Sequence, residues 1–345
     1  MGSSLSERED HGRRPGPCPG YGTRVIGPRS SALRGYAAVL ASSALYGTYG
    51  LWSRLMGGTF PPFYQAWVRS LIIIVVMSPA AFQKDAAGHR RLRRVERADR
   101  KAVGIFLFFC VFTQVPIYYA FNHAPVGTVQ LIFYAVFIIT AYLVARFYLH
   151  EQITRIKLAA MVLTFAGMGL IFGAGILSWA PAGLLLAAAG GVASGAEMSA
   201  TKRISEKYPP AYLVLLGWVA TLVTHLPASL LAGERQPAPR ADLPWLWLVL
   251  YALANAVAFW LSVEGFKRID ASAGSLVGVT EAVFAVVVAA LALRQTPSWS
   301  TWAGGFVVLV AAAIPDVSVI VATVARADAR APGPTPPSVD PNPAR

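Results

Sequence analysis

Residues 102–145 read AVGIFLFFCVFTQVPIYYAFNHAPVGTVQLIFYAVFIITAYLVA and residues 158–196 read LAAMVLTFAGMGLIFGAGILSWAPAGLLLAAAGGVASGA; neither stretch contains Asp, Glu, Lys or Arg. Each is broken near its middle by a polar, proline-containing kink: Asn122-His123-Ala124-Pro125 in the first, Ser178-Trp179-Ala180-Pro181 in the second. A helix needs about 20 apolar residues to span the ~30 Å hydrocarbon layer at ~1.5 Å rise per residue, so each stretch is long enough to cross a bilayer twice. Soluble cores do not supply charge-free runs of this length. The chain reads as an all-α polytopic membrane protein.

Working outward, ten spans can be drawn, at 36–56, 62–82, 102–122, 125–148, 158–177, 181–201, 209–231, 244–266, 271–293 and 299–320. The composition agrees: 55% of residues are hydrophobic and 14% charged, with mean hydropathy +0.52. Apolar stretches of this length satisfy their backbone polar groups only as helices. The loops are short except 83–101, so neighbouring helices form antiparallel hairpins.

The net charge of +13 raises the question of nucleic acid, and its placement answers it. With a cytoplasmic N-terminus, 25 of the 30 Lys and Arg residues fall on the cytoplasmic side, in the 1–35 tail, the 83–101 loop, the later inner loops and the C-terminal tail. The flipped topology would put them outside, against the positive-inside bias. The cluster His89-Arg90-Arg91-Leu92-Arg93-Arg94 is therefore read as a topology anchor near anionic headgroups, and no nucleic-acid partner is expected. Both termini are expected in the cytoplasm, the protein in the plasma membrane, and the polar tails 1–35 and 326–345 disordered. Residues 1–35 do not read as a secretory signal. Cys18 and Cys110, one in a tail and one in a span, define neither a disulfide nor a metal site.

The chain also repeats itself. Pro61-Pro62-Phe63-Tyr64 opens the second span and Pro209-Pro210-Ala211-Tyr212 the seventh, an offset of 148 residues. Tyr134-Ala135-Val136-Phe137 matches Glu281-Ala282-Val283-Phe284 at 147, and Leu149-His150-Glu151 lines up with Leu293-Arg294-Gln295 at 144. A period of five spans is odd, so the second copy enters the membrane upside down, which is a device of secondary transporters. The two units are placed at 36–177 and 181–320. Glycines at 47, 50, 167, 169, 173, 190, 191, 195, 304 and 305 suit close helix packing.

Two inverted five-span repeats with short loops and cytoplasmic ends resemble the EamA type of the drug/metabolite transporter superfamily. The more specific likeness is at the fourth helix of each repeat, where the family pattern runs approximately Glu-Pro-x-Phe to Leu-Gly-Glu. Here the second copy reads Thr280-Glu281-Ala282-Val283-Phe284 through Leu293-Arg294-Gln295, and the first Phe133 through Leu149-His150-Glu151-Gln152. Ala282 replaces the family proline, His150 and Arg294 replace the glycine, and Gln295 the second glutamate. The resemblance implies a secondary carrier, often an exporter, of small metabolites such as amino acids.

A charge within a span costs at least ~2.5–3.5 kcal/mol on insertion scales, so each needs a reason. Glu281 lies about ten residues, ~15 Å, into the ninth span, near the midplane. It is the leading candidate to bind a proton or a substrate ammonium group; the plainer alternative is a neutral or ion-paired structural residue. Arg69, in the second span, has no basic counterpart at Gly217. It either holds a substrate carboxylate bidentately or pairs with a membrane acid. Glu197 in the sixth span is a further candidate. Gln114, Gln130 and Asn255 either line a cavity or bridge helices, and Tyr134 and Trp260, with Trp52 and Tyr119, either wall a pocket or pack. His225 reads as a packed histidine. Glu264 is expected to pair with Lys267, and Glu151 with Arg155.

No Glu-x-x-His pair or Gly-x-Ser-x-Gly nucleophile motif occurs in a span, and no Gly-x-x-x-x-Gly-Lys-Ser/Thr loop occurs at all, so neither an enzyme nor a primary pump is indicated. No cofactor is expected. The expected partners are a small-molecule substrate, the lipid bilayer and H+ or another coupling ion; a homodimer is compatible with the chain. The rival class is a channel or a non-transporting membrane scaffold.

Overall fold

A computed structural model describes residues 28–82, 95–113, 116, 119–120, 123–124, 126–173 and 181–328. The regular elements among them are helices: α1 Pro28–Tyr46, α2 Tyr49–Leu55, α3 Pro62–Phe82, α4 Arg100–Phe112, α5 Val126–Phe147, α6 Arg155–Phe172, α7 Pro181–Ser205, α8 Pro210–Leu231, α9 Leu243–Phe266, α10 Ala271–Gly278, α11 Thr280–Ala292 and α12 Trp299–Asp328, with a 3-10 turn at Arg97–Asp99. The expected tails fall outside the described residues over 1–27 and 329–345, and α1 already begins at Pro28.

Among the described residues, seven helices, α10 and α11 counted as one, are long and apolar enough to cross a membrane. The other three expected spans differ in identifiable ways. The 36–56 span is broken at Gly47-Thr48 into α1 and α2. The 102–122 span passes after Thr113 into residues that are largely outside the described set. In the last, the residues whose side chains are described form a shorter apolar helix, Trp299–Pro315. Large apolar side chains such as Val75, Leu231, Leu291 and Phe306 lie on the outside of the helix assembly, as a lipid-facing surface requires.

Helix contacts reproduce the sequence repeat. If α1–α6 and α7–α12 are the two halves, α3 packs on its counterpart α8 and α6 on its counterpart α12. The remaining major contacts exchange in pairs: α1 on α9 corresponds to α4 on α7, and α1 on α10 and α11 corresponds to α5 on α7. Both self-paired contacts are antiparallel. The amides of Phe63 and Tyr64, opening α3, meet Glu234 just past the end of α8, at 3.1 and 2.7 Å. A Cβ at Gly167 would meet Gly304 and Val308, and one at Gly304 would meet Gly167, Leu170 and Ile171.

Small residues make these approaches possible. A Cβ on Gly191 would sit 2.5 Å from the Phe133 carbonyl oxygen and on Gly195 2.5 Å from that of Phe137; on Gly47 it would sit 3.0 Å from the Glu281 carbonyl. The same contact geometry thus joins the first helix of each half to the fourth helix of the other. Gly50 and Gly169 meet nothing within 4 Å, so they hold no such seam.

The most local trace of duplication is at the corners after α5 and α11. His150 (φ 57°) and Arg294 (φ 53°) are the non-glycine residues with positive φ among those described. At each corner the next amide closes back six residues, Glu151 N to Ala145 O at 2.8 Å and Gln295 N to Ala289 O at 3.2 Å, so both helices end through a left-handed residue. Left-handed backbone costs a side chain about 1–2 kcal/mol, and glycine's extra freedom in the unfolded chain offsets only part of this. Both side chains are exposed and contribute little packing. His150→Gly and Arg294→Gly are each expected to stabilise the protein by about 0.5–1 kcal/mol, read as a higher unfolding midpoint in detergent. A lowered midpoint in both would show that the side chains make compensating contacts.

Candidate functional site

A cavity of about 540 Å³ lies among α1, α2, α4, α5, α7, α8, α9 and α11. Its rim at one end is formed by Gly50, Ser53 and Arg54 of α2 and Gln65 of α3, and Arg54 is exposed. Its floor toward the other end is made by Val39, Phe137, Met198 and Phe266. Two helices that carry its lining are interrupted at this depth, α1/α2 at Gly47-Thr48 and α10/α11 at Val279. Interrupted helices at the contact between repeats are where transporters of this architecture place their substrate sites.

Both candidate carboxylates reach this cavity. Glu281 is in the first turn of α11, where its charge complements the positive end of the helix dipole. The phenol of Tyr134, its counterpart in the sequence repeat, faces it from α5. Glu197 projects from α7 onto α4: Thr113 Oγ1 lies 2.5 Å from its Oε2, and the Cys110 thiol donates to its Oε1 at 3.4 Å. The Thr113 hydroxyl is also 2.8 Å from the Phe109 carbonyl. One hydroxyl proton serves one acceptor at a time, so Thr113 donates to an ionised Glu197 or accepts from a protonated one while bonding Phe109. Tyr46 lies within electrostatic reach of both carboxylates.

Other predicted residues are placed differently. Gln130 and Asn255 line the cavity. Arg69 is 0% exposed but sits behind the lining, its guanidinium carbon 4.2 Å from the Tyr251 ring centroid and its Nε donating to the Gln65 carbonyl at 3.2 Å. Trp260 is 42% exposed on the outside of α9. Trp52 donates to Thr48 Oγ1 and lies against Trp247, outside the lining, and Tyr119 lies against Phe63. Gln114 lies outside the described residues. His225 is buried, with Nδ1 3.0 Å from the Thr221 carbonyl, as a packed histidine should be.

Tyr46, Tyr49, Cys110, Thr113 and Trp218 join the site without having been singled out in the sequence. The legible signal for the first two is Tyr46-Gly-Thr-Tyr49-Gly, a cluster of small and aromatic residues interrupting an apolar span.

Two expected ion pairs are corrected. Glu264 pairs with Arg268, one helical turn on, rather than with Lys267. Glu151 does not hold Arg155; it caps α10, accepting from Ala271 N at 2.7 Å, Ser272 N at 3.2 Å and Ser272 Oγ at 2.8 Å. A helix start offers free amides and positive charge, which outweigh an exposed arginine. Beside it, Lys157 Nζ bonds Asp270 Oδ2 at 2.7 Å and Ser272 Oγ at 2.9 Å. This cluster ties the α5–α6 connection to the start of α10 beyond the cavity floor. Its counterparts at the Arg54 end are Gln295, exposed and uncharged, in place of Glu151, and Thr301 in place of Lys157. Elsewhere at the Asp270 end, Lys207 bonds Asp99 at 2.8 Å and holds its carboxyl below the usual range.

The sequence pattern described as the EamA-like transporter family matches residues 33–173 and again 181–314. No curated protein is significantly similar to the chain. A solved structure, described simply as the crystal structure of a protein, is 22% identical, covers 83% of this chain and 96% of that one, and superposes with a TM-score of 0.68. At that identity it bears on the fold alone.

The closed end generates a direct test. A buried charged hydrogen bond contributes about 1.5–3 kcal/mol, so removing charge from the cluster should raise opening at that end about tenfold or more. In a Cys18→Ser, Cys110→Ser background, Val39→Cys at the floor reports access to an impermeant maleimide. Adding Glu151→Gln and Asp270→Asn should accelerate labelling from the Asp270 side by that factor. An unchanged rate from that side would mean the cluster does not hold the end shut.

Proposed function

The chain belongs to the EamA-like transporter family, in two consecutive units, and from that premise we propose that it is a secondary carrier that exports a small metabolite, an amino acid or related compound, by alternating access. The carrying observation is a cavity between the two halves, lined at one end by exposed Ser53 and Arg54, at the other by buried Phe137 and Phe266, and between them by two carboxylates. In this reading the chain makes ten crossings as two oppositely inserted five-helix units, at 36–177 and 181–320. The antiparallel pairing of α3 with α8 and of α6 with α12 supports it.

The plasma membrane is the proposed location, with both termini cytoplasmic and the Arg54 end outside; the basic residues concentrated at the Asp270 end support that orientation. The cavity then faces outward, with the Glu151–Lys157–Asp270 cluster as the cytoplasmic closure. Exchange of the two halves' conformations would open the opposite end. A channel has no need of a charged closure at one end and an uncharged counterpart at the other, and this asymmetry favours a carrier.

Glu281 is assigned the coupling role and Glu197 the supporting one. A carboxylate at this depth is neutralised by a proton or by a cationic substrate group, and their alternation at one site couples the two fluxes. Arg69, set behind Tyr251, acts in this reading through its charge rather than by clasping the substrate.

Glu281→Gln keeps the shape and removes the exchangeable charge. In proteoliposomes the variant is expected to lose proton-driven uptake by about a hundredfold or more while remaining monodisperse and inserted, a loss of roughly 2.7 kcal/mol of coupling. The substrate is found first by comparing metabolites on both sides of the membrane in cells with and without the gene. Undiminished proton-driven flux in Glu281→Gln would remove Glu281 from the mechanism.

A further inference from the structure

Two helix ends meet in the wall of the cavity. α1 ends at Tyr46 and α10 at Gly278, and each end presents carbonyl oxygens and the negative pole of its dipole. Ser43, in the last turn of α1, stands at the junction and lines the cavity with Gly278. Its Oγ lies 3.0 Å from the Val39 carbonyl oxygen and 3.3 Å from those of Val277 and Gly278, the last two residues of α10. A hydroxyl proton serves one acceptor at a time, and a helical serine commonly gives it to the carbonyl four residues back, here Val39. Two carbonyl oxygens then face the lone pairs of Ser43 with no proton between them. Oxygens so placed repel one another, and a cation among them reverses the sign of the interaction.

The spacing indicates which cation. An ion held at ~2.3–2.6 Å by an octahedral oxygen shell sets neighbouring oxygens about 3.3–3.7 Å apart. The distances around Ser43 lie at or just under the short end of that range, which suits an ion of the size of Na+ and is too tight for K+. Glu281, three residues after Gly278, lines the same cavity and supplies one counter-charge. Neutral oxygens with a single carboxylate suit a monovalent ion; among the described residues no three His, Cys, Asp or Glu side chains gather as a site for a transition metal would require.

Duplication alone does not produce this arrangement. A Cβ at Gly47 would meet Glu281 O, Phe284 Cβ and Ala285 N, and one at Gly191 would meet Phe133 O, Val136 Cβ and Phe137 N, the same atoms of the other copy. Gly47 and Gly191 are therefore equivalent, so Ser43 corresponds to Ala187 and Gly278 to Gln130. Ala187 has no side-chain oxygen, and Gln130 lies inside the uninterrupted α5. The serine of one half and the broken helix of the other thus meet at one place only among the described residues. We propose that Ser43 Oγ and the Val277 and Gly278 carbonyls, with Glu281 as counter-charge, form a sodium-binding site at the break between α10 and α11. Half-helix C-termini and unwound carbonyls are suited to hold such an ion. The site goes beyond the carrier reading: binding stands or falls without transport, and only the use of the ion to drive flux rests on that reading.

Binding of radiolabelled Na+ to the purified full chain in detergent tests the site. The unaltered chain should bind Na+ saturably, with unlabelled Na+ competing and K+ and choline failing to compete at the same concentration. Ser43→Ala removes one oxygen from the ion and should weaken Na+ binding about tenfold or more. Ser42→Ala removes the neighbouring hydroxyl, which bonds the Ala258 carbonyl at 2.8 Å, and should bind Na+ as the unaltered chain does. No saturable Na+ binding, equal competition by K+, or an unchanged Na+ affinity in Ser43→Ala would overturn the site. The first two results are read on the unaltered chain, so they decide even where a variant misfolds. Na+ binding with counterflow in proteoliposomes that ignores Na+ would keep the site and remove its coupling role. Counterflow without any Na+ binding would remove the site and keep the carrier.

Discussion

Placing ionised groups in a hydrocarbon layer is the cost around which this molecule is arranged. A span tolerates a charge only against a partner, a helix end or a polar cavity. Three spanning acids meet that requirement differently. Glu264 has Arg268 one turn away, Glu197 has a hydroxyl and a thiol, and Glu281 sits at the positive end of a short helix facing a phenol. The last two converge on one cavity, and the interruptions at Gly47-Thr48 and Val279 occur beside it. Removing the glycines that bring α1 against α11 and α7 against α5 would separate the walls that make this tolerable, because a Cβ at Gly47 or Gly191 meets backbone.

Duplication explains the scaffold, and departures from it explain the polarity. The corners at His150 and Arg294 adopt one backbone geometry, so the fold is indifferent to which copy it is building. The next residue is not equivalent: Glu151 reaches across to cap α10, while Gln295 stays exposed. A single carboxylate, with Lys157 and Asp270 beside it, gives the corner after α5 charged contacts to α10 that the corner at Gln295 lacks. A molecule whose two ends were chemically identical would have no reason to rest facing either way; a few kcal/mol of charged contacts at one end suffice to set the population.

Much of this was legible from residue types and spacing. Charge-free runs announced the spans, and the Pro-Pro-x-Tyr and Tyr-Ala-Val-Phe blocks disclosed the duplication that the family match carries across both units. Glu281 was visible because an acid within a span stands out, and Glu197 for the same reason. Neutral side chains were the blind spot. Trp218 and Tyr49 look like any aromatic in an apolar segment, and only three-dimensional placement separates a lining indole from a lipid-facing one such as Trp260. The pairings of Glu151 and Glu264 were misread because helical spacing counts only neighbours on the same helix or the nearest turn. The start of α10, 120 residues away in sequence, outcompetes Arg155 for Glu151.

Arg69 illustrates how a residue can matter without contact. As the one Lys or Arg set well inside an expected span, away from its ends, it invites the role of a substrate clamp, and a bidentate grip on a carboxylate would demand that it line the cavity. Instead it is fully buried behind Tyr251, with its side chain against a ring face and a backbone carbonyl. A direct clamp would bind an anion so strongly in this low dielectric that release would be slow, whereas a carrier must release its cargo in each cycle. Setting the charge one ring away keeps its field on the cavity without direct contact.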